Sequence, residues 1–145
     1  MQAPSSSALT DLIDRAERAD PALDAALAAL APSVGENIPP LRAALVPLAR
    51  AQLALVVANG DIELVADELR RYQKYAVPGK PSLQIVQLRK QQATVKQAAL
   101  IARQNYAQAT HAFLRESRLT APARRTPTDF TTLWLGKVVA QVAAG

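Results

Sequence analysis

The sequence predicts an all-α protein: a bundle of five or six helices built around one long helix at about 82–118. Three observations carry this expectation. Half the residues are apolar, yet the chain has 30 alanines and only six aromatic side chains. Alanine has the highest helix propensity, and a core rich in Ala and Leu and poor in rings suits helices packed at close range. Second, proline and Asn/Asp/Gly pairs divide the chain into segments in which apolar residues recur at i, i+3, i+4 and i+7. Third, no proline or glycine occurs between Ser82 and Arg118, which allows a helix of roughly 55 Å at 1.5 Å per residue.

Taken in order, Ser7 is positioned to cap a first helix whose buried face is Leu9, Leu12, Ile13 and Ala16. Asp20-Pro21 stops that helix and starts a second, with Asp20 at the N-cap and Pro21 in the first turn; Leu23, Leu27 and Leu30 form its stripe. "PSVGENIPP" (32–40) reads as a loop. A third helix is predicted from Pro40 to Ala58, kinked or divided at Pro47 and stopped by Asn59-Gly60. Asp61 then caps a fourth, with Ile62, Val65, Ala66, Leu69 and Tyr72 on its apolar side. Its acids come early and its cations late, as the helix dipole favours. "VPGKP" (77–81) is a turn.

The long helix follows. A heptad frame fits it, with Ile85, Gln92, Ala99, Tyr106 and Phe113 in one column and Leu88, Val95, Ala102 and Ala109 in the other. Small residues at the middle of this seam predict close approach of a partner helix, either from the same chain or from a second copy in a homodimer. The stretch "ARQNYAQA" (102–109) resembles the A-x-x-N-Y-x-x-A register in the long hairpins of bacterial envelope efflux adaptors. The likeness spans eight residues, and no function is carried over from it. The predicted organisation is a bundle domain over 1–120, a basic linker over 121–127 and a C-terminal amphipathic helix over 128–145. Thr126 to Asp129 resembles a capping box for that last helix. Phe130, Leu133, Trp134, Val138 and Val142 are its apolar residues, and Gly136, Ala140 and Ala144 form a small-residue face. The helix either packs on the bundle or docks on a partner.

Charge carries the functional expectation. The net charge is +5, but residues 1–69 hold four cations and ten acids, whereas 70–145 hold thirteen cations and two acids. Such a division points to an acidic partner for the second half, or to acidic and basic halves that face each other. Within the basic half, Arg89, Lys96 and Arg103 recur every seven residues beside the seam, and Arg115, Arg118, Arg124 and Arg125 extend the set. Cations flanking a seam commonly cover it with their stems while their heads stay in water. The same set could instead meet an acidic protein surface or phosphates. No helix-turn-helix spacing or RNP-type aromatic motif is present.

The chain has no cysteine, which excludes disulfides and thiol chemistry. Its one histidine, His111, falls in the outward column of the heptad frame. There is no Gly-rich phosphate loop and no G-x-S-x-G, so neither catalysis nor a cofactor is expected. The longest apolar run, 43–58, is interrupted by Pro47 and Arg50, so no integral membrane segment is expected. The amino terminus has neither the basic start nor the apolar stretch of a signal peptide; a cytoplasmic location is the expectation and an exported mature chain the alternative. The function expected is a non-enzymatic helical binding or assembly module whose basic half engages an acidic partner or a second copy. The alternative is a weakly sequence-selective DNA- or polyanion-binding protein.

Overall fold

The computed structural model describes residues 3–79 and 82–144. Its first helix, α1 (Ser6–Glu17), is capped by Ser5 rather than by Ser7. The Ser5 hydroxyl accepts the Ala8 N–H at 3.3 Å, and Leu9, Leu12 and Ala16 are buried along one side. Asp20 does occupy the N-cap position of α2 (Pro21–Leu30), but its carboxylate accepts from Arg15 at 2.5 Å instead of from the helix backbone. Pro21 supplies the helical start, having a fixed φ and no N–H to leave unpaired. A 3-10 turn at Pro32–Val34 leads into α3.

The predicted third and fourth helices are one. α3 runs unbroken from Ile38 to Gln73, through both Pro47 and Asn59-Gly60. Pro47 and Ala43, whose carbonyl the proline leaves unbonded, are both exposed, so the lost hydrogen bond faces water. Leu45 and Leu48 beside it are fully buried. Gly60 lies outside the left-handed region, and a side chain there would meet nothing within 4 Å. Glycine within a helix costs about 1 kcal/mol, whereas burying Val65 and Leu69 beyond it contributes about 1.5–3 kcal/mol each. Burial wins, and Asp61 is an exposed residue of the helix interior.

α4 spans Leu83–Ser117, within a residue or so of the predicted long helix. The Ser82 hydroxyl accepts the Ile85 N–H at 3.2 Å. At the other end Arg118 takes a left-handed conformation (φ 60°) while its N–H bonds the Leu114 carbonyl. The heptad seam is the buried face: Ile85, Leu88, Ala99, Ala102, Tyr106 and Phe113 are all buried. Its partner is α3, which packs antiparallel along α4. Ala58 meets Ala99 and Ala102 near the middle, and Leu69 meets Ile85 and Leu88 near the turn. The seam is therefore filled from within the chain and is not free for a homodimer.

α5 (Pro127–Ala144) packs on α2 and α4. Thr126 accepts the Asp129 N–H at 3.2 Å, which starts the helix as its sequence predicts. Its buried residues are Thr131, Trp134, Leu135, Gly136 and Val138. Ala140 and Ala144 are exposed, so the small-residue face is not the packed face. The main core collects Leu9, Leu12, Leu23, Leu27, Leu41, Leu45, Leu48, Phe113, Trp134, Leu135 and Val138. The Phe113 and Trp134 rings lie 5.2 Å apart, tilted by 46°. Among the described residues the protein has five α-helices and no strand. It is an all-α bundle.

A hydroxyl cluster fixes α5 to α4. The Tyr106 hydroxyl lies 2.7 Å from Thr131 Oγ1 and 2.8 Å from Thr132 Oγ1, and Thr110 Oγ1 lies 3.1 Å from Thr131 Oγ1. Burial pushes the Tyr106 hydroxyl above its ordinary value, against a smaller opposing effect of the threonine hydrogen bonds. The folded chain thus holds this proton more tightly than the unfolded chain does. Its stabilising contribution is fully present below the ordinary tyrosine value of about 10 and is lost as pH rises through the folded value. Urea midpoints recorded from pH 8 to 11 should fall less steeply for Tyr106→Phe than for the wild type. At neutral pH that variant should lose only about 1 kcal/mol, because Thr110 and Thr131 keep each other as partners.

Candidate interaction surface

The bundle covers only half of the long hairpin. The main core takes residues of α3 up to Val56 and of α4 from Tyr106 onward. Beyond them, α3 57–73 and α4 83–105 pack only on each other, through the two small clusters at Ala58 and Leu69. They form a two-helix arm of roughly 25 Å, at 1.5 Å per residue, ending in the turn after Gln73.

Among the described residues, every large apolar side chain that is exposed lies on this arm or its tip: Val57, Leu64, Tyr72, Tyr75, Val77, Leu83, Val86, Leu100 and Ile101. Single exposed leucines on a protein surface are ordinary. Confinement of all nine to one hairpin is not, since concentrated apolar exposure marks interaction sites. On α4, Val86, Ala93 and Leu100 each precede Arg89, Lys96 and Arg103 by three residues, which sets an apolar column beside the basic one. On α3, Asp61 and Glu68 follow Val57 and Leu64 by four, setting an acidic column beside an apolar one. At the tip, Lys74 Nζ lies 5.8 Å from the Tyr75 ring centre, and Tyr72, Tyr75, Arg71 and Glu68 line a shallow cleft.

Although α3 packs along α4, the carboxylates of the acidic half do not pair with the basic stripe of α4 among the described residues. Six of the ten carboxylates in the acidic half are held by arginines close at hand: Asp11 and Asp20 by Arg15, Asp14 by Arg18, Asp24 by Arg42, Glu17 by Arg50 and Asp67 by Arg70. The α1 and α2 acids are therefore committed within the bundle. Among the described residues, no carboxylate lies within 4 Å of Arg89, Lys96, Arg103, Arg115, Arg118, Arg124 or Arg125. Asp61 and Glu68 likewise have no cation within that distance among the described residues.

These seven cations do not form one site. Arg89, Lys96 and Arg103 flank the arm seam. Arg118 lies by the bundle end of α4, roughly 44 Å along the helix from Arg89, beside a cleft of about 280 Å³ with Ser33, Asn37 and Glu116. Arg115 is exposed on the last turn of α4. Arg124 and Arg125 join Lys137, Phe130, Leu133 and Trp134 around an open cleft of about 560 Å³. The Trp134 indole N–H and the Gln52 side-chain carbonyl are buried with no hydrogen-bond partner among the described residues. His111 is exposed, as the heptad frame predicts. By length and mean hydropathy α3 could cross a bilayer; in the bundle Leu41, Leu45, Leu48 and Ala49 of that helix are buried in the core.

The exposed apolar columns are a surface feature that the sequence-based expectation did not include. Their signal was available: Val86, Ala93 and Leu100 repeat every seven residues outside the seam. Scanned against protein-family models, curated proteins and solved structures, the chain matches none.

Proposed function

We propose that this protein is a non-enzymatic binding and assembly module whose working part is the hairpin arm. The observation that carries the reading is the confinement, among the described residues, of exposed large apolar side chains to the arm, beside the cations Arg89, Lys96 and Arg103, which have no carboxylate within 4 Å there. A helix that offers an apolar column and a basic column side by side matches an amphipathic helix with acidic flanks. Apolar contact supplies affinity, and charge sets register and partner choice. The bundle below acts as a rigid mount.

The test uses a synthetic amphipathic helical peptide with a leucine column flanked by glutamates, followed by fluorescence anisotropy at low and moderate salt. The wild type should bind it, and the triple change Arg89→Ala, Lys96→Ala, Arg103→Ala should weaken binding about tenfold at an unchanged melting temperature, given that each exposed charge contributes up to about 1 kcal/mol. A lowered melting temperature with unchanged binding would make the stripe structural. A second reading, weakly selective polyanion binding, draws on the uncompensated basic clusters of α4 and the linker. It requires that unrelated DNA duplexes bind with a steep loss of affinity between ~50 and ~200 mM salt.

A further inference from the structure

We infer that the partner of the arm is the arm of a second copy, joined face to opposite face, so that the chain assembles head to tail through α3 of one copy and α4 of the next. The inference rests on the reading of the arm as the working surface and names its occupant.

The argument is one of sidedness. Looking down α3 from its amino terminus, Asp61 and Glu68 lie counter-clockwise of the buried residues Ala58, Ile62, Val65 and Leu69, and Val57 and Leu64 lie just beyond them. On α4 the columns Arg89/Lys96/Arg103 and Val86/Ala93/Leu100 follow the seam in the opposite rotational sense about their own helix. In an antiparallel pair, flanks of the same sense meet on one face and flanks of opposite sense lie on opposite faces. The arm is therefore a slab with two different sides. One side presents Val57 and Leu64 with the carboxylates of Asp61 and Glu68. The other presents Val86 and Leu100 with the cations of Arg89, Lys96 and Arg103.

The acids Asp61 and Glu68 on one side complement the cations Arg89, Lys96 and Arg103 on the other, with Arg71 the one cation of the Val57/Leu64 column and Glu63 the one acid on the basic side. The spacings also match, since the acids on α3 and the cations on α4 both recur every seven residues, so one register brings both rows together. Among the described residues neither row has an ion-pair partner. A contact between two different faces of identical copies is heterologous, and it closes into a ring or continues as a filament according to the rotation per step. It differs from the homodimer expected from the sequence, which would use the alanine seam that α3 already fills.

The experiment is sedimentation velocity on the full chain and on two charge-reversed variants, Asp61→Lys/Glu68→Lys and Arg89→Glu/Lys96→Glu, with thermal melts to show that each folds. The first variant has two basic faces and the second two acidic faces. The wild type should form species larger than a monomer at up to about 100 μM and low salt, the range of weak specific interfaces, and these should dissociate as salt screens the charges. Each variant alone should remain monomeric. An equal mixture should recover assembly, because the native faces left on the two variants complement each other and so do the reversed ones. A monomeric wild type, variants that assemble as the wild type does, or a folded mixture that fails to associate would each overturn the inference. If the wild type is monomeric but still binds the acidic amphipathic peptide, only the self-assembly falls; if it binds neither, the reading of the arm falls with it.

Discussion

Phe113→Ala is expected to destabilise the protein by about 3–5 kcal/mol, the range for removing a buried ring whose site cannot collapse. Phe113 is 1% exposed and sits on α4 against the Trp134 ring of α5, in the main core that also holds the buried leucines of α1, α2 and α3. Trp134 is the ring that loses its partner, and its own burial in the core restricts how far it can shift into the space. For a domain of this size the loss corresponds to roughly 10 °C or more in melting temperature. Differential scanning calorimetry measures it. Leu100→Ala supplies the contrast: Leu100 is 44% exposed on the arm, and its truncation should stay within about 0.5 kcal/mol. Equal effects at the two positions would contradict the assignment of the core to the bundle end.

Ala99→Leu is expected to cost about 1–3 kcal/mol, the usual penalty for forcing extra methylenes into a packed site. Ala99 is 2% exposed and faces Ala58 and Ala102 at the point where the helices depend on small side chains to meet. A leucine there must push α3 away from α4, and this part of the arm has no third helix to absorb the shift. Amides of 57–73 and 83–105 should then exchange faster with solvent while those of the bundle change little, since local opening follows local contact density. The neighbouring change Ala98→Leu, at an exposed position, should leave both stability and exchange near the wild type. A rise in stability at Ala99→Leu would show that the seam is loosely filled.

Much of this architecture is legible in the sequence because period and punctuation are local. The α4 seam was readable residue by residue, since a helix without proline or glycine keeps its phase over ten turns and buried positions recur on schedule. The faces of α1 and α2 follow from the same rule, whereas in the last helix only Trp134 and Val138 of the expected apolar residues are buried and Leu135 takes the place in the core that the pattern did not assign it. Local signals failed where they competed with distant contacts. Asn59-Gly60 and Pro47 are ordinary helix breakers, yet their cost of one to a few kcal/mol is smaller than what a continuous α3 gains by packing along α4. Ser5 rather than Ser7 caps α1 because boundaries shift by a turn's fraction when several serines can serve.

The candidate surface divides in the same way. The sequence by itself determined that the second half is basic, that its cations stand beside a heptad seam and that a long helix carries them. It could not determine whether those cations are covered, because pairing between charges depends on which helices become neighbours. Tertiary structure decided that point by keeping the α1 and α2 acids on arginines of their own half and leaving Arg89, Lys96 and Arg103 without a carboxylate among the described residues. It also decided which apolar residues stay in water. Val57, Leu64, Val86 and Leu100 are as hydrophobic as the residues of the seam, and only the absence of a third helix over the arm leaves them exposed.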